Sequence, residues 1–305
     1  MSATGVSYLS GRLTGAPAAE LRRAASRAEE AGLDGLGVGD HVSFYVGAGA
    51  DGLVNATAIL AASDRLSAVV GVYLLPLRHP VLVARQVADI ARFAPGRLVL
   101  GVGVGGEDPH ELEICGVDPR TRGRRMDACL DVLRALLAGD TVDHSDEFFD
   151  LRGASITPAP AEPVPILVGG RSDAAIRRAG QRGDGWYGIW VSPTRYAHVV
   201  SQMRDHADDA GRPVRDWHNA LNVWCGVGET TDEARGYVAP AMEGFYQLPY
   251  ERFEKWSPAG TPEQIATFLA PYVEAGCHTF NVIACGASLD AELAAVGEIR
   301  ARLIG

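Results

Sequence analysis

The sequence predicts an α/β fold, a single (β/α)8 TIM barrel over residues 1–305 with insertions before strand five and after strand seven. Three observations carry that expectation. Eight strand-like apolar runs alternate with helical periods from end to end. Most of the runs are continuous rather than alternating, as suits parallel strands covered on both faces. The length, 305 residues, is one at which an α/β barrel is the usual one-domain solution.

The strand-like runs are residues 6–9, 35–40, 66–75, 98–105, 165–170, 186–191, 221–227 and 279–285. Between them, residues 18–31 place Leu21, Ala24, Ala25 and Ala28 on one helical face. Residues 80–93 begin with Pro80, which suits a first turn. Residues 127–137 repeat Leu130, Leu133 and Leu137, and residues 172–180, 194–210, 262–274 and 288–303 follow as helices. Thr261 and Ser288 precede helix starts as capping residues, while Gly32, Gly139, Gly211 and Gly276 stand where helices stop. Eight such units favour a closed barrel over a doubly wound sheet.

Two stretches interrupt the alternation. Residues 141–165 hold short apolar pieces around Phe148, Phe149, Leu151 and Ile156 with four prolines, and read as a small hairpin or lid. Residues 235–259 are rich in aromatic residues, among them Tyr237, Phe245, Tyr246 and Trp256, between strand seven and its helix. Either could cover a pocket. The second could shape an apolar substrate site or pack a subunit.

A net charge of −10 disfavours nucleic acid and anionic lipid as partners. No apolar stretch is long enough to span a bilayer, and no secretory leader is visible, so a cytoplasmic protein is expected. Lys255 is the only lysine among 28 basic residues, so any anion site must use arginine, backbone N–H groups or helix ends. The five cysteines are scattered, which reads as reduced thiols, and no metal-ligand spacing occurs.

Barrel active sites lie at the carboxyl ends of the strands. Strand two ends in Gly39-Asp40-His41, where a histidine could move a proton near neutral pH. Strand three contains Gly71 before Val72 and Tyr73, and a glycine there suggests a bulge or a closely approaching ligand. Strand four runs into Gly105-Gly106-Glu107, exposed N–H groups followed by a carboxylate that could serve as acid or base. Strand five ends in Gly169-Gly170-Arg171-Ser172 and then a helix begins, the arrangement that binds phosphate. Gly183-Asp184-Gly185-Trp186 turns tightly into strand six nearby.

In this order these motifs resemble the bacterial luciferase-like monooxygenase superfamily over essentially the whole chain, and most closely its branch of coenzyme F420-dependent oxidoreductases. The resemblance implies His41 beside the cofactor's reactive ring with Asp40 behind it, and Glu107 as a second catalytic group. It implies a strand-three bulge at Gly71, Val72 and Tyr73, often a cis non-proline bond, backing the ring. Gly105 and Gly106 would contact the cofactor, and Gly169, Gly170, Arg171 and Ser172 would hold its phosphate. It also implies a homodimer and a small-molecule substrate. The sugar-phosphate dehydrogenases of the branch carry a tryptophan four residues after the histidine, where this chain has Tyr45, and they hold the substrate phosphate with lysines and arginine, where this chain has a single lysine, so a sugar-phosphate substrate is not expected. The expected activity is hydride transfer between F420 and an organic substrate. The alternatives are an FMN-dependent monooxygenase fed by a separate reductase and a barrel that binds a ligand without turnover.

Overall fold

The computed structural model describes residues 5–45, 47–212 and 217–304. Its centre is a ring of eight parallel strands: β1 (Gly5–Leu9), β2 (Gly35–Val38), β3 (Ser67–Leu74), β4 (Leu98–Gly103), β5 (Ile166–Gly169), β6 (Gly185–Ile189), β7 (Ala220–Val227) and β8 (Thr279–Cys285). Each strand pairs with the next. The ring closes where Val6 of β1 lies opposite Phe280 of β8. Closure leaves no open sheet edge, which explains the continuous apolar strands: one face fills the barrel and the other carries helices. Val6, Tyr8, Phe280 and Val282 are all fully buried.

The outer layer consists of α1 (Ala18–Glu30), α2 (Gly52–Ala62), α3 (Pro80–Phe93), α4 (Pro109–Ile114), α5 (Arg122–Leu137), α6 (Asp173–Arg182), α7 (Pro193–Asp209), α8 (Thr231–Tyr246), α9 (Pro262–Glu274) and α10 (Leu289–Ile304). The expected start signals operate. Thr261 and Gln264 form a capping box on α9, and Ser172 caps α6 by accepting a hydrogen bond from the Ala175 N–H. No helix among the described residues is long and apolar enough to cross a membrane.

Three helices, α2, the six-residue α4 and α8, stand outside the expected set. α2 is apolar on most sides and opens on Gly52, so it shows little periodicity, although Asp51 caps it through the Leu53 and Val54 N–H groups. α8 occupies much of the stretch read as an irregular insertion. Gly236, Pro240 and Gly244 disguise it, yet Ala234, Val238 and Met242 recur every fourth residue and form its buried face.

The two insertions also part company. Strands Val142–Ser145 and Asp150–Ala154 form the expected hairpin. Phe149 anchors it, buried beneath the Arg125 guanidinium (4.8 Å) and edge-on to His79 (5.3 Å). It lies outside the barrel and contributes nothing to the mouth, so its reading as a pocket cover is not sustained. α8 and the residues after it do line the mouth.

Candidate active site

A cavity of about 1680 Å³ opens at the carboxyl ends of the strands and takes lining residues from all eight strand ends. Its floor is set by β3. The Gly71–Val72 peptide is cis, as the resemblance implies, and the pairing of β3 with β4 slips between Val70 and Tyr73. Val72 therefore turns inward and fills the room left by Gly103 and Gly169, where added Cβ atoms would come within 2.5 and 3.1 Å of it. A side chain at Gly71 would strike the Tyr187 hydroxyl at 2.3 Å. That hydroxyl is buried in the barrel without a hydrogen-bond partner among the described residues, and burial pushes its pKa up, so it remains protonated.

The slip also corrects one expected cofactor contact. Tyr73 is 1% exposed and faces outward, under the Arg78 guanidinium at 4.3 Å, not toward the cavity. On an unbroken strand Tyr73 would share a face with Gly71, and the irregularity removes that relation. Asp40 is likewise structural in its side chain. Its carboxylate is wholly buried and accepts from Arg78 Nη1 (2.6 Å) and Nη2 (2.8 Å), Leu74 N (2.8 Å) and Gly52 N (2.9 Å). Burial pushes this carboxyl up from its ordinary value, while Arg78 and the two N–H groups pull it back down. Asp40 thus ties the end of β2 to β3 and α2 and holds the neighbouring His41 in place.

His41 begins a short antiparallel hairpin (His41–Phe44 with Ala48–Ala50) instead of ending β2. Its ring stacks on Phe44 at 4.0 Å and lines the cavity. Nδ1 lies 3.0 Å from Glu111 Oε2. Glu111 is 3% exposed, and its other oxygen accepts from Val42 N (2.6 Å) and Ser43 N (3.1 Å). Asp108 grips the same hairpin through Tyr45 N (2.7 Å) and caps α4 through His110 N (3.0 Å). α4 therefore clamps the histidine loop. A carboxylate at Nδ1 selects the tautomer with hydrogen there and leaves Nε2 to the cavity. Glu111 received no role from the sequence. The signal was present in Asp108-Pro109 as a helix start with Glu111 in its first turn.

Glu107 stands exposed at the rim, and its carbonyl accepts from Tyr45 Oη at 3.3 Å. Gly105 and Gly106 have φ of +66° and +124°, which favours glycine, and both face the cavity. The Gly106 backbone lies against the Arg122 guanidinium. Across from it, Gly170 has φ of +118°, and its carbonyl accepts from Trp186 Nε1 at 2.7 Å, which pins the loop that leads into α6. Arg171 lies over the Trp190 ring at 5.3 Å. Neither Arg122 nor Arg171 has a carboxylate within ion-pair distance among the described residues. Arg178, in contrast, is committed to Asp127 at 2.6 Å. Two guanidiniums without a carboxylate partner among the described residues, two glycine turns and the start of α6 thus border one arm of the cavity with hydrogen-bond donors, although Arg122 Nη1 already donates to the Pro119 carbonyl at 2.5 Å. Arg122 went unnoticed in the sequence because it precedes the periodic part of α5.

The opposite arm is aromatic. Phe44 and Phe245 approach to 5.3 Å, Phe245 and Tyr246 to 4.8 Å, and Tyr246 and Trp190 to 4.8 Å. Trp224 Nε1 donates to Tyr246 Oη at 3.1 Å.

A closed barrel with these loops around one mouth places the protein among luciferase-like enzymes. Residues 4–255 match the luciferase-like monooxygenase family, and the chain belongs to that family. An uncharacterised Mycobacterium tuberculosis protein is 39% identical over 138 residues, a match that spans 45% of this chain and about half (47%) of that relative's length. An F420-dependent glucose-6-phosphate dehydrogenase from Kineococcus radiotolerans is 30% identical over 282 residues, covering 83% of each chain. Among solved structures, an F420-dependent secondary alcohol dehydrogenase in complex with an F420–acetone adduct matches with a TM-score of 0.85 at 19% identity, covering 99% of each chain. The FMN-bound oxygenating constituent of 3,6-diketocamphane monooxygenase from Pseudomonas putida matches with a TM-score of 0.76 at 16% identity, covering 99% of this chain and 98% of that one. At such identities the two structures attest the fold. The similar proteins include both F420-dependent and FMN-bound enzymes.

Proposed function

We propose that the chain is an oxidoreductase that moves a hydride between coenzyme F420 and a small organic substrate, with His41 as its proton partner. The observation that carries this reading is the meeting of four strand-end segments, those of His41, Gly71–Val72, Gly105–Glu107 and Gly169–Ser172, around one cavity. The residues suit a tricyclic ring with an anionic tail. Gly71 and Val72 offer a flat backing without a projecting side chain at Gly71. Arg122, Arg171, the glycine turns and the N–H groups opening α6 suit a phosphate.

When bound, the deazaflavin supplies the carbon that accepts or donates hydride. His41 handles the accompanying proton. With Nδ1–H directed at Glu111, a bare Nε2 takes the proton of a substrate hydroxyl as the adjacent C–H hydride leaves. In the reverse direction Nε2–H gives that proton to the oxygen of a carbonyl as hydride arrives. Glu111 holds the ring at the required angle, and Glu107 at the rim offers a carboxylate that exchanges the proton with solvent. Tyr187, protonated beneath Gly71, is placed to donate a hydrogen bond upward and not to act as a base.

Separate titrations of the purified protein with F420 and FMN test the cofactor. Tighter binding of F420 supports the reading, and tighter binding of FMN replaces it with the monooxygenase alternative. With a turned-over substrate in hand, His41→Ala should lower kcat by about a hundredfold. A near-normal rate removes His41 from the mechanism.

A further inference from the structure

We infer that Trp190 is a positioning residue: its indole face holds the Arg171 guanidinium at the mouth without neutralising it, so that Arg171 meets an anionic group of the ligand with its charge intact. The inference deepens the proposed function, since it rests on the assignment of the start of α6 to an anion-bearing cofactor.

The first observation is the kind of partner Arg171 has. It is an exposed residue beside Ser172, the cap of α6, and both line the cavity. No carboxylate lies within ion-pair distance of it among the described residues, and the nearby Asp173 faces Arg195 instead, at 4.0 Å. Its contact is aromatic. Arg171 Cζ lies 5.3 Å from the centre of the Trp190 ring, inside the reach over which a ring face attracts a cation. A carboxylate would fix a guanidinium as well but cancel its charge, as Asp127 does for Arg178 at 2.6 Å. A ring face holds the group and leaves its N–H donors to a ligand.

The second observation is what the fold accepts to keep Trp190 there. Its φ is +50°, a conformation that bulky side chains rarely adopt. Its Nε1–H is buried with no hydrogen-bond partner among the described residues. Such a residue persists only where its surroundings enforce it. The chain beyond it is pinned, since the Val191 carbonyl accepts from Tyr272 Oη at 2.6 Å and Ser192 caps α7 through Arg195 N at 3.2 Å. The ring packs against Tyr246 at 4.8 Å and Phe253 at 4.7 Å. A phenyl ring would fill much of this contact and bury no unpaired N–H. What the indole adds is the aromatic face that binds a cation best. Trp190 thus joins the aromatic arm of the cavity to the arm bordered by donors.

The test uses the full-length protein and two pairs of ligands, F420 with the same deazaflavin carrying only its ribityl chain, and FMN with riboflavin. Each pair shares a ring system, and only one member has a phosphate-bearing tail. Calorimetry gives the two dissociation constants, and the readout is their ratio within a pair. Arg171→Ala should weaken the phosphate-bearing member about tenfold and leave the tail-free member within about twofold. Trp190→Leu should weaken the phosphate-bearing member about fivefold, again sparing the tail-free one, and Trp190→Phe should recover most of the loss. In the Arg171→Ala background Trp190→Leu should leave the ratio unchanged. Arg171→Lys keeps the charge without the flat guanidinium and should weaken the phosphate-bearing member about fivefold.

A Trp190→Leu protein that loses both members of a pair alike overturns the inference. So does an effect of Trp190→Leu that persists without Arg171, or an Arg171→Lys protein that matches the parent. The lysine reading stands even where Trp190→Leu fails to fold. The two proposals fail separately. FMN bound more tightly than F420, with the Trp190 effect present, sinks the proposed function and supports this inference. Tight F420 binding with an unchanged ratio in Trp190→Leu does the reverse, and binding of neither pair contradicts both.

Discussion

The hairpin of residues 142–154 and the α8 segment of residues 231–256 both interrupt the barrel's rhythm, and both carry paired aromatic residues. They do different work. The hairpin turns Phe149 inward against Arg125 and His79 and braces the outside of the barrel. α8 buries Ala234, Val238 and Met242 beneath it and holds Phe245 and Tyr246 over the mouth. Composition does not distinguish a brace from a wall. The direction of a few side chains does.

The contrast can be broken by experiment. The largest effect on stability should come from the brace. Phe149 is 5% exposed, so Phe149→Ala should cost about 3 kcal/mol and lower Tm by about 6 °C. Cofactor affinity should stay within about twofold, and a change beyond tenfold would mean that the hairpin acts on the mouth after all. Next in size is the clamp on the histidine. Glu111→Gln should lower kcat about tenfold, because an amide cannot serve the His41, Val42 and Ser43 donors as a carboxylate does. A merely structural role would weaken cofactor binding in parallel, so comparing kcat with cofactor Kd separates the two. A change that leaves fold and cofactor site untouched is read at Cys285, which lines the mouth. Burial pushes its thiol up to about 12, Glu292 adds to the rise and Arg12 opposes it. The thiolate is the reactive form, so iodoacetamide at pH 8 should modify Cys285 about a hundredfold or more slowly than a free thiol. The rate should rise about tenfold per pH unit up to pH 10. Rapid modification at pH 8 would show that this wall is open.

The barrel itself was legible in the sequence because parallel strands covered on both faces write themselves as unbroken apolar runs. The strand ends were legible for the same reason, and with them His41, Glu107 and the glycine turns that the fold brings to one cavity. α2 and α8 were not, since one lacks periodicity and the other carries glycine and proline inside a helix held by packing on β7. Tyr73 was misplaced because a single slip in strand register reverses which side chains face inward. Glu111 and Arg122 act across loops, from 70 and 16 residues away from His41 and Gly106, and sequence spacing does not reveal such partners.

The central claim is that these loops enclose one ring-shaped ligand, and a crystal structure of the protein with F420 bound tests it most directly. The account places the deazaflavin ring against the Gly71–Val72 peptide, with His41 Nε2 facing its reactive carbon and the phosphate at the start of α6 between Arg122 and Arg171. A ring bound elsewhere, or a phosphate turned toward Trp224 and Phe245, would contradict it.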